Sequence, residues 1–196
     1  MTEQERDLRA RLVAAGVELV TREGVNALGL REIARQAGVS HGAPRRHFPT
    51  HRELLAAIAR QGFGRLTDAL AGADALAAST GADARTRLEA LARAYLGYAA
   101  ANPGMFELMF RHDLLEGSGA DLRRTTLPLF RTFADLITEV HPQCDDPTAA
   151  TAALWANLHG LAQLRAWGSL RLVTGTEDIT PLLRAALDAH LGPAVR

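Results

Sequence analysis

Residues 30–55 read LREIARQAGVSHGAPRRHFPTHRELL. Leu30, Ile33, Ala34 and Ala37 recur at helical spacing and predict one short helix, stopped by Gly38. A glycine there permits the left-handed backbone that lets the chain reverse. Two short helices joined by a turn of three or four residues containing glycine make a helix-turn-helix, and the turn here is Ala37-Gly38-Val39-Ser40. Val39 supplies an apolar plug beneath the turn, and Ser40 can cap the second helix, expected over about 41–47. Pro44 falls inside that helix. With Ser40 as cap it occupies the fourth position and forfeits only the first intrahelical bond; with Gly42 as cap it occupies the second and forfeits nothing. Thr50-His-Arg-Glu53 then reads as a capping box opening a further helix through Leu54, Leu55 and Ile58 towards Leu70.

Charge singles out the same stretch. The chain as a whole is balanced, with 22 arginines and 22 acids and no lysine. Over residues 31–52, however, Arg31, Arg35, Arg45, Arg46 and Arg52 face only Glu32, a local excess of about four positive charges. His41, His47 and His51 can add partial charge beside phosphates. Local basic surface of this kind is what DNA affinity requires, because phosphate neutralisation supplies most non-specific binding free energy.

Outward from this core, apolar residues keep helical spacing nearly everywhere, and no alternating strand pattern or internal repeat interrupts them. Leu8, Leu12, Ala15, Leu19 and Val20 form a stripe that ends at Gly24. Residues 72–84, GADALAASTGADA, are small and polar enough to predict a loop. Helices are expected at about 85–101, 104–115, 124–140, 148–171 and 181–191, with Pro181 following Thr180 as cap. The expected fold is all-α, about nine helices with short connections. Between Ala149 and Leu170 the only formal charge is Arg165, so that helix is apolar on several faces. Burial within one subunit would account for it; a subunit interface does so more economically. The single cysteine, Cys144, cannot form an internal disulfide and fits a reducing cytoplasm. MTEQERDLRARL (1–12) is charged and predicts no secretory leader, and no apolar run is long enough to span a bilayer.

Gly24, Leu30, Ile33, Ala34, Ala37-Gly38-Val39-Ser40, Gly42, His47-Phe48 and Glu53-Leu54-Leu55 together resemble the N-terminal domain of the tetracycline-repressor (TetR) family, over about residues 8–58. The resemblance implies a helix-turn-helix DNA-binding domain over 1–50 and a helical ligand-binding and dimerisation domain over 51–196. Trp155-Ala-Asn-Leu-His159-Gly160 is similar to a Trp…His-Gly signature of one group of C-terminal domains in the family. Two positions depart from the common pattern: Arg45 stands where tyrosine is frequent, and His51 where lysine is frequent. Arginine can still hold a phosphate through charge and several donors. His51, mostly neutral at pH 7, is the weaker substitute.

The helix around 30–37 is expected to cross the DNA backbone, with Arg31 and Arg35 towards phosphate. The helix around 41–47 is expected in the major groove, where its first residues meet base edges. Candidate contacts there are Ser40, His41, Ala43, Arg45, Arg46 and His47, with His51 beyond. Gly42 allows close approach, and Arg45 or Arg46 could instead be bidentate to guanine. Phe48, Ile33 and Leu30 are expected in the core.

The resemblance further implies a homodimer built from the last two long helices, a pseudo-palindromic operator in double-stranded DNA, and a small-molecule effector. Candidate effector contacts are Tyr95, Met105, Phe106, Met109 and Phe110, followed by Phe130, Phe133, Trp155, His159 and Trp167. His159, a polar group on an otherwise apolar helix, is the one best suited to orient a ligand, although a satisfied core histidine fits the pattern equally. No catalytic or metal-ligand spacing emerges, no cofactor is implied, and an enzyme is not expected. The alternative reading is a ligand-binding or interaction dimer of the same fold with a degenerate DNA reader.

Overall fold

The structure is a computed structural model that describes residues 3–119 and 121–193. Eleven α-helices and one 3-10 turn follow in order, and no strand occurs among the described residues. They are α1 (Glu3–Glu23), the 3-10 turn Val25–Ala27, α2 (Leu30–Gln36), α3 (Ala43–His47), α4 (His51–Ser79), α5 (Ala84–Ala101), α6 (Pro103–Phe110), α7 (His112–Leu115), α8 (Leu122–Val140), α9 (Pro147–Ala166), α10 (Ser169–Thr174) and α11 (Thr180–Leu191). No helix among the described residues is long and apolar enough to cross a membrane.

The chain divides into two compact units. One comprises the residues up to Arg65 with Asn102–Thr125; the other comprises Leu66–Ala101 with the chain from Thr126 onward. In the first, α1 packs against α2, α3 and α6. Its core holds Leu12, Leu19, Ile33, Phe48, Leu54 and Ile58, all essentially inaccessible. Backbones approach closely where side chains are missing. A Cβ on Gly104 would stand 2.4 Å from the Val20 carbonyl oxygen, and one on Gly62 would stand 2.6 Å and 2.7 Å from the sulfurs of Met105 and Met109. In the second unit, α5 and α11 pack on α9 around Leu88, Leu91, Leu154, Leu158 and Leu187.

Local signals account for most boundaries. α1 ends before Gly24, whose φ is 81°. Thr50 caps α4 by accepting from the Glu53 N–H at 3.2 Å, and its hydroxyl donates to the Glu53 carboxylate at 3.1 Å. Asp146 caps α9 by accepting from Ala149 N–H at 2.9 Å.

Several expectations are corrected. Residues 72–79 are helix, not loop: small side chains do not oppose helix, and alanine is its best former. Continuing α4 brings Asp74 to the Arg87 guanidinium of α5 in a bidentate pair at 2.8 and 2.9 Å. The helix expected at 104–115 breaks at Arg111 into α6 and α7. That expected at 148–171 breaks after Ala166, where Gly168 takes φ 74° and starts α10. A glycine inside an unbroken apolar pattern does not announce which of its two conformations it adopts. Thr180 lies inside α11 and is not its cap; its N–H donates to Asp178 Oδ1 at 2.9 Å.

Candidate nucleic-acid interface

The turn between α2 and α3 is built by backbone alone. Gly38 takes φ 67°, its N–H donates to the Arg35 carbonyl, and the Val39 N–H donates to the Ala34 carbonyl at 3.0 Å. These paired bonds satisfy the last carbonyls of α2 and turn the chain towards α3. From α1, Arg11 donates to the Ala37 carbonyl at 2.8 Å, fastening the turn to the longer helix. Nothing in the spacing of Arg11 separates it in sequence from an ordinary solvated arginine, so this clamp could not be read there.

The N-cap of α3 is Gly42, with no side-chain cap bond, so Ser40 does not cap the helix. Instead the Ser40 carbonyl accepts from the Ala43 N–H at 2.9 Å. Pro44 therefore occupies the second helical position, where no intrahelical donor is lost. Ala43 and Pro44 face inward, and Phe48 closes the far end, 1% exposed. The Arg9 guanidinium stacks over the Phe48 ring at 4.7 Å from its centre. A five-residue helix could not hold its own shape in water, so α3 is shaped by what it packs against.

On this support Arg45 and Arg46 stand exposed next to each other, with Ser40, His41 and Gly42 also exposed and His47 half-buried. Arg31, Arg45 and Arg46 pair with no acid among the described residues. Arg35 differs: its guanidinium is engaged by Glu32 one turn earlier in the same helix, which holds the Glu32 carboxyl below its usual range and the Arg35 pKa above its own. His51 differs too. It is half-buried, and its Nε2 hydrogen bonds to the Leu28 carbonyl at 2.5 Å. Ala43, expected at base edges, has little accessible surface.

The candidate effector residues are found in both units. Tyr95, Trp155 and His159 come together in the second unit. The Tyr95 hydroxyl and His159 Nδ1 are hydrogen-bonded at 3.0 Å, and the Trp155 and His159 rings are 5.6 Å apart. Gln163, not anticipated in sequence, reaches His159 Nε2 at 3.5 Å. Burial pushes the Tyr95 phenol up, offset in part by a hydrogen bond from Trp155, and burial pushes the His159 pKa down. Met105, Phe106, Met109 and Phe110 belong to the first unit, where the Phe106 and Phe110 rings lie 4.9 Å apart and Phe63 meets Phe110 edge-on at 5.6 Å. On α8, Phe133 is buried and Phe130 half-buried. Trp167 is 72% exposed.

Residues 12–58 match bacterial regulatory proteins of the tetR family, and residues 88–190 match the tetracyclin repressor-like C-terminal domain. The latter description names no Trp-His-Gly group, and membership of that group is not confirmed. No curated protein matches the chain. Among solved structures, a protein of unknown function from Rhodococcus sp. RHA1 is 31% identical with a TM-score of 0.77, over 94% of this chain and 93% of that one. A tetR-family regulatory protein from Rhodococcus RHA1 is 23% identical over all of both chains, with a TM-score of 0.66. The multidrug binding protein EbrR, solved with imidazole, is 24% identical over 96% of each chain, with a TM-score of 0.62. With a helix-turn-helix at its N-terminal end and the C-terminal match covering more than half its length, the chain belongs to the TetR family of DNA-binding transcriptional regulators.

Proposed function

We propose that the protein is a cytoplasmic, homodimeric repressor that a small molecule releases from a pseudo-palindromic operator. The observation carrying the DNA part is α3: Arg45 and Arg46 stand exposed, pairing with no acid among the described residues, on a short helix anchored by Ala43, Pro44 and Phe48. Arg45 and Arg46 take phosphate or guanine, Arg31 takes phosphate, and Ser40, His41 and His47 lie within reach of the same groove. Gly42 supports close approach to DNA on separate grounds. Its φ is −84° and a Cβ there would meet nothing within 4 Å, so the fold itself has no need of glycine at this position. Arg35 and His51 reach DNA only by giving up Glu32 and the Leu28 carbonyl. Those two engagements are what favours the alternative, a ligand-binding dimer with a degenerate reader; the free Arg31, Arg45 and Arg46 weigh against it.

The dimer reading rests on apolar surface that a lone chain leaves uncovered. α9 buries Leu154, Leu158 and Ala162 on one side, while Ala152, Trp155, Ala156 and Leu164 remain exposed. Trp167, with Leu172 and Val173 on α10, adds to this surface, the last two 87% exposed. A large exposed apolar patch marks an interaction site, and a two-fold partner covers it most simply. Effector binding is assigned to the two groups of candidate residues above, with His159 as the orienting polar group. The drug-binding function named for EbrR supports a small-molecule input for this chain as well. Release follows if the effector prefers a conformation whose two α3 helices no longer match half-sites about 34–36 Å apart.

Retention on random-sequence duplex DNA, measured between about 50 and 200 mM salt, tests the reading. A steep fall with salt is expected; a flat response would sink it. Gel filtration at micromolar concentration should give a dimer. Arg45→Ala should weaken operator binding while leaving the thermal unfolding curve unchanged; unaltered affinity removes Arg45 from the interface.

A further inference from the structure

An open groove of about 340 Å³ runs between α1 and α4, floored by Ala10, Val13 and Ala57 and rimmed by Arg6, Arg9 and Arg60. No acidic residue lines it, and neither Arg6 nor Arg60 pairs with an acid among the described residues. Three arginines thus share one groove that no carboxylate lines among the described residues, with Glu3, Glu5 and Asp7 elsewhere on the same end of α1. Holding like charges together costs free energy, and an anionic partner recovers it. The partner's form follows from the groove's shape. A small anion is best met by a closed pocket, whereas this groove is open to solvent and carries alanine and valine among its cations. Those features suit an extended polyanion with alternating charged and apolar segments, as in a sugar–phosphate chain.

Position connects the groove to the helix-turn-helix. Arg9 lines it and also stacks on Phe48, the residue that ends α3. Arg60 lies nine residues beyond the start of α4, about 13 Å along its axis, so the groove extends the basic surface well past the first turn of that helix. We propose that Arg6, Arg9 and Arg60 form a second DNA-binding surface. It takes phosphates of the duplex beyond the segment read by α3 and supplies affinity without sequence preference. The proposal rests on the DNA-binding reading and adds residues that the helix-turn-helix pattern does not include.

The test uses the full-length protein and a random-sequence duplex, with affinity measured across about 50 to 200 mM salt. Arg6→Gln and Arg60→Gln, singly and together, leave Arg9 on Phe48 and so spare the fold, which thermal unfolding verifies. Each lost phosphate contact lowers the slope of log affinity against log salt by about 0.9. Over that fourfold change in salt, the loss of affinity should therefore shrink about 3.5-fold per arginine removed. Arg60→Lys, which keeps the charge, should restore the wild-type slope. Variants that bind DNA with the wild-type slope overturn the proposal while leaving the regulator reading intact. So would variants that keep the slope but lose retention on polyglutamate, since the groove would then seat an acidic protein. Wild-type protein that ignores the duplex at every salt concentration removes both readings.

Discussion

His51 Nε2 and the carbonyl oxygen of Leu28 are hydrogen-bonded at 2.5 Å, joining the first turn of α4 to the segment between the 3-10 turn and α2. The ring donates, so Nε2 carries the proton. The bond spans 23 residues and fixes α4 against the connection that leads into the DNA-reading helices. His51→Ala should lower stability by about 1 kcal/mol, because a part-buried carbonyl loses its donor. It should leave the salt slope of duplex binding unchanged. A slope reduced by about 0.9 would instead place His51 on a phosphate.

Gly42→Ala separates fold from function. With φ −84° and open space at the missing Cβ, the substitution should alter stability by less than about 0.5 kcal/mol. Operator affinity should fall, because on the proposed interface the added methyl would stand between α3 and the DNA. Anisotropy titration beside thermal unfolding reads both, and equal affinity for the two proteins would deny the close approach.

Two glycines that hold α6 to its neighbours should respond unequally. In Gly104→Ala the new methyl meets the Val20 backbone oxygen at 2.4 Å, and only movement of helix backbone relieves it. In Gly62→Ala the obstacles are the Met105 and Met109 sulfurs and Met105 Cγ, all on flexible side chains and none on backbone. Overpacking of about 1–3 kcal/mol is expected for Gly104→Ala and clearly less for Gly62→Ala, from denaturant midpoints. The reverse order would contradict the packing described.

His159 should make the fold sensitive to acid. Burial lowers its pKa, so between that depressed value and about 6.5 the unfolded chain binds more protons than the folded one. Stability then rises with pH through this interval and is lost as pH falls through it. His159→Gln has no such proton to bind, so its melting temperature should fall less than that of the wild type between about pH 7 and pH 5. Parallel curves would mean that His159 titrates alike in both states.

Much of this protein was legible in local patterns. The stripes of Leu12 to Val20 and Leu30 to Ala37, the Gly38 turn and the Thr50 cap depend only on residues within a turn or two of one another. Helical spacing and glycine conformation are properties of the chain itself, so sequence alone determined the all-α class, the helix-turn-helix and the family. Sequence narrowed the place of Pro44 to two positions; packing of α3 selected the second. Tertiary structure alone decided which polar groups are already engaged. Arg11 on the Ala37 carbonyl, Arg9 on Phe48, His51 on Leu28, Tyr95 on His159 and Asp74 on Arg87 join residues 13 to 64 positions apart. Such partners are set by how helices cross, and an arginine free for DNA is identical in sequence to one clamping a turn. The groove between α1 and α4 belongs to the same class: its three arginines converge because two helices pack together, and no periodicity within either helix records that meeting.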